Sequence, residues 1–359
     1  MSEALATALA VTADADPLVG ATARGLLYGY HARWVNSGWT FLAVEQEYQL
    51  PIVNPDTGRS SRTFTQAGKT DGIAARDGKQ FLMEHKTCAE DIADPDAPYW
   101  RRLAIDSQVS AYTLAHWQSG QALDGTLYDV IRKPGIRPKK LTKDEAKELQ
   151  TGHYYGQQIP DAIRLDARLT YPGVQECPEL FERRLAADCG ERADWYFARK
   201  VLYRDEQQVL EYARELWAVA DEIRLTRLAD RHPRNSGACM TWGRPCEYLG
   251  ICSGFNSPDG WQRADRVHDE LASVADGKDV LTHSRLSTFR LCKKKHYYRY
   301  ELGIRKDEDS ESLVFGKLFH EALAAYWSCL KGDDLEHCDN GSAANEAGEP
   351  TAATAHDPR

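Results

Sequence analysis

Asp71, Glu84 and Lys86 are the residues whose types and spacing could do chemistry. They lie in the stretch from Gly68 to Thr87, where Asp77-Gly78 sits between two short apolar runs, a strong signal for a two-residue hairpin loop. Such a loop pairs Arg76 with Lys79, and counting back sets Ala75 against Gln80, Ile73 against Leu82 and Asp71 against Glu84. Side chains repeat every second residue along a strand, so Asp71, Glu84 and Lys86 share one face. Two carboxylates opposed across a ladder have Cβ atoms about 5 Å apart and repel, unless a cation lies between them or one keeps its proton. Mg2+ takes one or two protein carboxylates and leaves positions for phosphate and water. A lysine one step along can orient or deprotonate an attacking water and offset charge on a phosphate. The trio therefore suits phosphodiester hydrolysis. A solvated hairpin with ordinary surface charges is the competing reading.

Other elements must position that hairpin. From Ala21 to Trp34, the residues Leu26, Leu27, Tyr30 and Trp34 recur at helical spacing. Leu42 to Leu50 reads as a strand, closed by a turn at Asn54-Pro55-Asp56-Thr57-Gly58. Glu45 and Glu47 on that strand could approach a metal, although exposed strand charge is the simpler role. A helix is expected from Tyr99 to Trp117, with Gln108 and Tyr112 four apart on one face, then a strand from Gly125 to Lys133. Arg137, Lys139, Lys140 and Lys143 follow in a basic loop that is either solvated or steers phosphate. Asp194 to Leu228 reads as largely helical, and residues 1–17 as a poorly ordered lead-in.

With 359 residues, 42% hydrophobic and 28% charged, the chain can bury a substantial core as one large domain or two smaller ones. No run is long and apolar enough to span a bilayer, and the start, Met-Ser-Glu-Ala-Leu-Ala, lacks the basic region of a signal peptide. A cytoplasmic protein with no membrane partner is expected. The net charge of −9 argues against coating nucleic acid with the whole surface and leaves room for a local basic groove. No glycine-rich loop ending in Lys-Ser or Lys-Thr is present, so any unwinding of a duplex would fall to a partner.

Nine cysteines in such a chain argue against a disulfide framework and turn attention to metals. Cys239, Cys246 and Cys252 fall around Gly243, Pro245 and Gly250, and Cys292 offers a fourth thiolate. Four thiolates suit tetrahedral zinc or an iron–sulfur cluster, and ligand count does not separate the two. Three unrelated buried thiols are the plain alternative. Ser284 to Tyr300 reads as a basic, aromatic helix opened by a Ser or Thr cap, with Lys293, Lys294, Lys295 and Tyr297 as candidates for nucleic-acid contact. A second helix begins at Phe315, with an apolar stripe at Phe315, Phe319, Leu323 and Trp327 and with His320 beside it.

At these residues the chain resembles the PD-(D/E)XK nuclease superfamily, in particular its RecB-like branch. Gly68-x-x-Asp71 looks like that branch's second motif, Glu84-His85-Lys86 like its Glu-x-Lys, and Gln108-x-x-x-Tyr112 like its Gln-x-x-x-Tyr. Gly316-x-x-x-His320 looks like the motif that opens the family's histidine helix. The resemblance implies an α/β fold: a restriction-endonuclease-like core, with a mixed sheet flanked by helices and a cysteine-ligated helical region beside it. It also implies Mg2+ or Mn2+ held by Asp71, Glu84 and His320 with the His85 carbonyl, Lys86 on the water, and Gln108 and Tyr112 on the strand. The cysteines resemble those of the iron–sulfur members, the AddB-type helicase–nucleases and the CRISPR-adaptation nucleases, which implies a [4Fe–4S] cluster with Zn2+ as the alternative. The six-residue gap from Cys239 to Cys246 departs from that pattern, where two is common.

In the family the cysteine and histidine helices precede the strands, whereas here they follow them. A circular permutation is the simplest reading, and a truncated second copy of the domain or a misplaced reading frame is the competing one. It divides the chain into a lead-in (1–17), a nuclease core (18–150), a helical region with the cysteines (151–270), permuted first helices (281–330) and a disordered tail (331–359). The expected function is DNA cleavage, on single strands or ends, in recombination, repair or defence, with a possible helicase or recombination partner. A catalytically inactive nucleic-acid-binding protein stabilised by a metal or iron–sulfur site is the alternative.

Overall fold

A computed structural model of the chain describes residues 2–121, 123–164, 166, 169, 171–241, 243–257, 261–264, 268, 271, 277–305 and 311–331. The chain opens with helices α1 (Glu3–Val11) and α2 (Pro17–Trp34). Strands β1 (Thr40–Val53), β2 (Ser60–Arg76) and β3 (Lys79–Cys88) follow, then helices α3 (Pro98–Leu103) and α4 (Ser107–Gln118) and strand β4 (Gly125–Arg132). Next come α5 (Pro178–Glu191), β5 (Phe197–Leu202) and α6 (Glu206–Leu228). The last part holds β6 (Asp279–Leu281), α7 (His283–Leu291) and α8 (Glu311–Leu330).

The central sheet runs β1-β2-β3-β4-β5, with β3 and β4 parallel and the other neighbours along this path antiparallel. It is mixed and has helices on both faces, an arrangement compatible with a restriction-endonuclease-like core. Strand β2 has two partners on its inner side. Gly72 to Arg76 pair with β3, and Phe64 to Gln66 pair in parallel with β6. Between those pairings, at residues 67–71, the sheet forks.

One face carries α3, α4, α6 and α7, packed through Tyr112, Val109, Leu216, Ile223 and Phe289 onto Leu82, Tyr128 and Val130. The other carries α1, α2, α5 and α8, packed through Leu26, Tyr30, Phe181, Phe319 and Trp327 onto Phe41, Met83 and Leu127. Alternation along β4 explains the division, since Leu127 faces one layer while Tyr128 and Val130 face the other. Among the described residues, no helix is long and apolar enough to cross a membrane.

Several sequence expectations change. Residues 3–11 form a packed helix in place of a loose lead-in, because Ala4, Leu5 and Ala8 are buried against α8. The expected helix from Tyr99 to Trp117 breaks at Ala104–Asp106, where the Asp106 side chain accepts from Gln108 N and caps a new helix. The stretch expected as a helix from Asp194 contains β5, whose Phe197 and Arg199 face the interior and whose backbone pairs with β4. Residues 178–228 thus belong to the same sheet and cores as residues 18–150. The helix expected over Ser284–Tyr300 starts at His283 behind the cap Thr282, and it breaks at Cys292, which is extended. After Lys331, which bridges to Phe41, the expected tail lies outside the described residues.

Helix α8 is bound into the core. The Trp327 ring stacks on Phe41 at a centroid distance of 3.6 Å, and Trp327 is 3% exposed. Trp327→Ala should therefore lower stability by about 3–5 kcal/mol in a denaturant titration. A change within about 0.5 kcal/mol, as for a surface site, would mean that α8 is not part of this core.

Candidate active site

The hairpin folds in the register that its turn chemistry dictates. Asp77 and Gly78 take φ values of +52° and +74°, the left-handed pair of a tight two-residue turn. Arg76 pairs with Lys79, Ala75 with Gln80 and Ile73 with Leu82. The ladder ends at Gly72 and Met83, one step before Asp71 and Glu84. There Asp71 Oδ2 accepts from the His85 backbone N–H at 2.7 Å. The side chain thus replaces a backbone pair where β2 and β3 part. Gly68 is also constrained, since a Cβ there would lie 2.7 Å from Tyr48 Oη. Its absence leaves space for the Tyr48 ring, which packs edge-on against Tyr112 at 5.7 Å.

Glu84 is 1% exposed. Lys86 Nζ donates to Glu84 Oε1 and to Gln108 Oε1, each at 2.6 Å, and lies 3.4 Å from Asp106 Oδ2. Gln108 Nε2 in turn donates to Tyr112 Oη at 2.7 Å. The Gln-x-x-x-Tyr pair thus buttresses the lysine, where the resemblance implied contact with a nucleic-acid strand. The other oxygen, Glu84 Oε2, is buried without a hydrogen-bond partner among the described residues. A buried carboxylate oxygen in that state is unfavourable unless a proton or a cation satisfies it.

Titration follows from this crowding. Burial first, and the Asp71 charge second, raise the Glu84 pKa to about 8 against the pull of Lys86. For Lys86, burial opposes the charged form, but Glu84 and Asp106 outweigh it and hold the ammonium above the usual lysine range. Lys86 is therefore a standing cation in this geometry, fitted to orient water and offset charge, and it is not poised to take a proton.

His320 reaches the same place from α8. Its Nδ1 is 3.9 Å from Asp71 Oδ1, and its ring meets that of His85 edge-on at 6.2 Å. Burial lowers the His320 pKa, which favours the neutral imidazole that can ligate a metal. His85 is anchored from behind. Its Nδ1 lies 3.0 Å from Asp129 Oδ2, and Arg199 Nε donates to Asp129 Oδ1 at 2.9 Å. Tyr30 adds a hydroxyl hydrogen bond to the same carboxylate, and Arg199 Nη2 donates to Tyr30 Oη at 3.1 Å. Burial works against the Asp129 charge, yet Arg199 and His85 hold its pKa well below the usual range.

Asp106, Asp129, Arg199 and Tyr30 were not singled out from the sequence as site residues. Two signals existed for the acids. Asp106 precedes the helical Gln108 and Tyr112 as a cap residue. Asp129 interrupts an apolar strand that is otherwise fit for burial on both faces, where an acid requires a partner.

Asp71, Glu84, His85, Lys86, Gln108, Tyr112 and His320 thus meet at the sheet fork. The remaining candidates do not join them. Lys293 is ion-paired with Glu222, and Lys295 lies 3.0 Å from Glu247. Lys294 sits over the rings of Tyr297 and Tyr298 at 4.6 and 5.0 Å. Tyr297 stacks on His232 at 4.2 Å, so one of its faces is already covered. Lys133 lies 5.6 Å from the centre of the Phe315 ring. Glu45 is ion-paired with Lys69.

Among the described residues, no three His, Cys, Asp or Glu side chains stand ready as metal ligands. This holds for the expected cysteine cluster and for Asp71, Glu84 and His320 alike, so the cluster finds no support here. Cys239 Sγ and Cys292 Sγ both approach main-chain atoms of Asn235, at 3.7 and 3.4 Å, and Cys246 N donates to Cys239 O. The loops bring these cysteines into one neighbourhood, and no group of three thiolates that could hold a metal is found among the described residues. At the fork the donors are two carboxylates, one of them with an orphaned oxygen, and an imidazole. That set fits a hard divalent ion which keeps open positions, and Mg2+ commonly binds through one or two carboxylates.

A family model of the PD-(D/E)XK nuclease superfamily matches residues 280–356. The matched segment includes His320 but not Asp71, Glu84 or Lys86. No curated protein and no solved structure gives a significant match to the chain.

The raised pKa of Glu84 fixes the sign of two pH effects. The folded state holds this proton more tightly than the unfolded chain, whose Glu sits near 4.5, so stability of the metal-free protein falls as pH rises from there to about 8. A divalent ion must displace the same proton. Calorimetric Mn2+ affinity should therefore climb by about tenfold per pH unit up to about pH 8 and then level off. In Glu84→Gln the climb should be lost. A wild-type affinity that is flat from about pH 6 to 8 would contradict this environment for Glu84.

Proposed function

We propose that the chain is a metal-dependent nuclease of the PD-(D/E)XK superfamily that hydrolyses phosphodiester bonds in DNA. The observation that carries the reading is the meeting of Asp71, Glu84 and Lys86 from one hairpin with His320 from a helix far along the chain. The match of residues 280–356 to that superfamily supports it independently, because it covers the histidine segment and not the hairpin.

Asp71, Glu84 and His320 would hold Mg2+ or Mn2+, with the His85 carbonyl as a further oxygen ligand. Bound there, the ion supplies a water of lowered pKa and charge stabilisation for the leaving oxygen. The protein's own part is positioning. Lys86, gripped by Glu84 and Gln108, presents its ammonium to orient the nucleophilic water and to offset charge growing on the phosphoryl oxygens. Tyr112 fixes Gln108, and Asp106 supplies a second carboxylate to keep Lys86 charged. The Asp129–Arg199–Tyr30 group holds His85, and so the backbone between Glu84 and Lys86, in place.

The RecB-like branch is favoured because Gln108 and Tyr112 interlock with Lys86, which gives their four-residue spacing a task. A permuted order is favoured because β6 and α8 pack against β2, β1 and α1, completing the core that the earlier segments begin. The strand that enters the site is expected to be a single strand or an end. Nothing in this reading requires the cysteines to bind a metal.

The test is cleavage of labelled single- and double-stranded DNA with Mg2+ or Mn2+. Wild type should cut, and Lys86→Ala should slow cutting by about 100-fold or more. His320→Ala should weaken the affinity for the metal, and so raise the metal concentration needed for half-maximal cutting, by about 10- to 100-fold at unchanged fold, judged by circular dichroism. Equal cutting by wild type and Lys86→Ala would reject the site. Binding without cutting by wild type would favour a nucleic-acid-binding protein.

A further inference from the structure

A second concave feature lies at the same end of the sheet and takes no part in the hydrolysis. A cavity of about 250 Å3 opens between the first turns of α2 and the segment after β4, lined in part by Thr22, Lys133, Pro134, Arg137, Arg244 and Phe315. Three of its lining side chains are cations, and among the described residues no carboxylate lines it. Burial, and the charge of Arg244 after it, lower the pKa of Lys133, so the cations stand near enough to repel. Phe315 provides an apolar wall beneath the Lys133 ammonium. Like charges gathered in a recess from two separate parts of the chain favour an anion between them.

Two independent measures place this cavity relative to the carboxylates. Strand β4 pairs with β3 so that Val130 faces Lys86 and Arg132 faces Cys88. At about 3.3 Å per residue, Lys133 lies about 10 Å beyond the Lys86 row. On α8, Phe315 precedes His320 by five residues, about 7.5 Å along the helix axis. With phosphates spaced at about 3.4 Å of axis on each strand, these axial separations equal about two to three phosphates, with the recess on the α2 and α8 layer and Lys86 on that of α4.

We propose that Arg137 and Arg244, with Lys133, form a phosphate subsite that holds the nucleic-acid strand at a second point beside the scissile bond; this rests on the nuclease reading above. Guanidinium groups suit the role because they grip phosphate oxygens through two parallel hydrogen bonds. The subsite would fix the register of the strand. The phosphate it takes is either internal to the strand or terminal, and the chemistry of recognition is the same.

Binding of a labelled single-stranded oligonucleotide, with and without a 5′-phosphate, tests this in full-length protein carrying Lys86→Ala so that the strand survives. Adding Arg137→Gln with Arg244→Gln should weaken binding by about tenfold or more and flatten the slope of log affinity against log salt by about 0.7 for each phosphate no longer neutralised. Arg137→Lys with Arg244→Lys, which keeps the charge, should recover much of that affinity, and inorganic phosphate should compete only when the cations are present. A weakening confined to the phosphorylated oligonucleotide assigns the site to a terminal phosphate, and an equal weakening on both assigns it to an internal one. Unchanged affinity and salt slope in the Gln protein would overturn the subsite. The two readings fail separately. A protein with native Lys86 that does not cut, while binding still depends on these arginines, rejects the nuclease and keeps the subsite; cutting with binding indifferent to them does the reverse.

Discussion

A carboxylate buried beside a second carboxylate is the constraint on which the site depends. Glu84 is nearly inaccessible, Asp71 stands across from it where the ladder ends, and one oxygen of Glu84 has no hydrogen-bond partner among the described residues. Left alone, that arrangement would open or draw in water. The surroundings instead oppose it from three directions. Lys86 neutralises one oxygen, the His85 backbone N–H ties down Asp71, and His320 caps the open side. Each of these is itself held, by Gln108 and Tyr112, by Asp129 and Arg199, and by the stacking of α8 on β1. What remains without a hydrogen-bond partner among the described residues is one Glu84 oxygen, which a proton satisfies up to about pH 8 and which, in the proposed reading, a divalent ion would take.

The fork in β2 explains how two distant segments share one site. A continuous β3 would cover the inner edge of β2 throughout, leaving no gap for a side chain to enter. Here β3 serves residues 72–76 and β6 serves residues 64–66, so the edge between them stays free for Asp71 and its neighbours. Strand β6 leads directly into α7, which rests on the face that carries α4, while α8 lies on the opposite face. The segment that supplies His320 therefore grips the sheet from both sides, and the histidine is presented by packed structure.

The hairpin was legible because its register depends on local chemistry: Asp77-Gly78 specifies the turn, and the period of two then fixes which side chains share a face. The helices at 21–34 and 315–330 were legible for the same reason, as apolar residues recur along one stripe. The buried Asp129 group was not. Its partners Tyr30 and Arg199 lie 99 and 70 residues away, and no local pattern reports such a meeting. Strand β5 was hidden because Trp195 and Tyr196 sit in a short helix just before it and α6 starts four residues after it, so helical sequence surrounds six extended residues. The lead-in misled because an alanine-rich amphipathic segment looks loose until α8 covers it. The cysteine spacing suggests a ligand set, but ligation requires side chains to converge, and sequence spacing alone carries no information on that.

The most direct test is a crystal structure with Mn2+, measured at a wavelength where the metal scatters anomalously. The account predicts an anomalous peak between the carboxylates of Asp71 and Glu84, about 2.1 Å from their oxygens, with the His320 ring turned toward it and Lys86 still on Glu84. Both carboxylates in place with no peak between them, or a peak that His320 does not approach, would contradict the claim that residues 68–86 and the helix bearing His320 build one site.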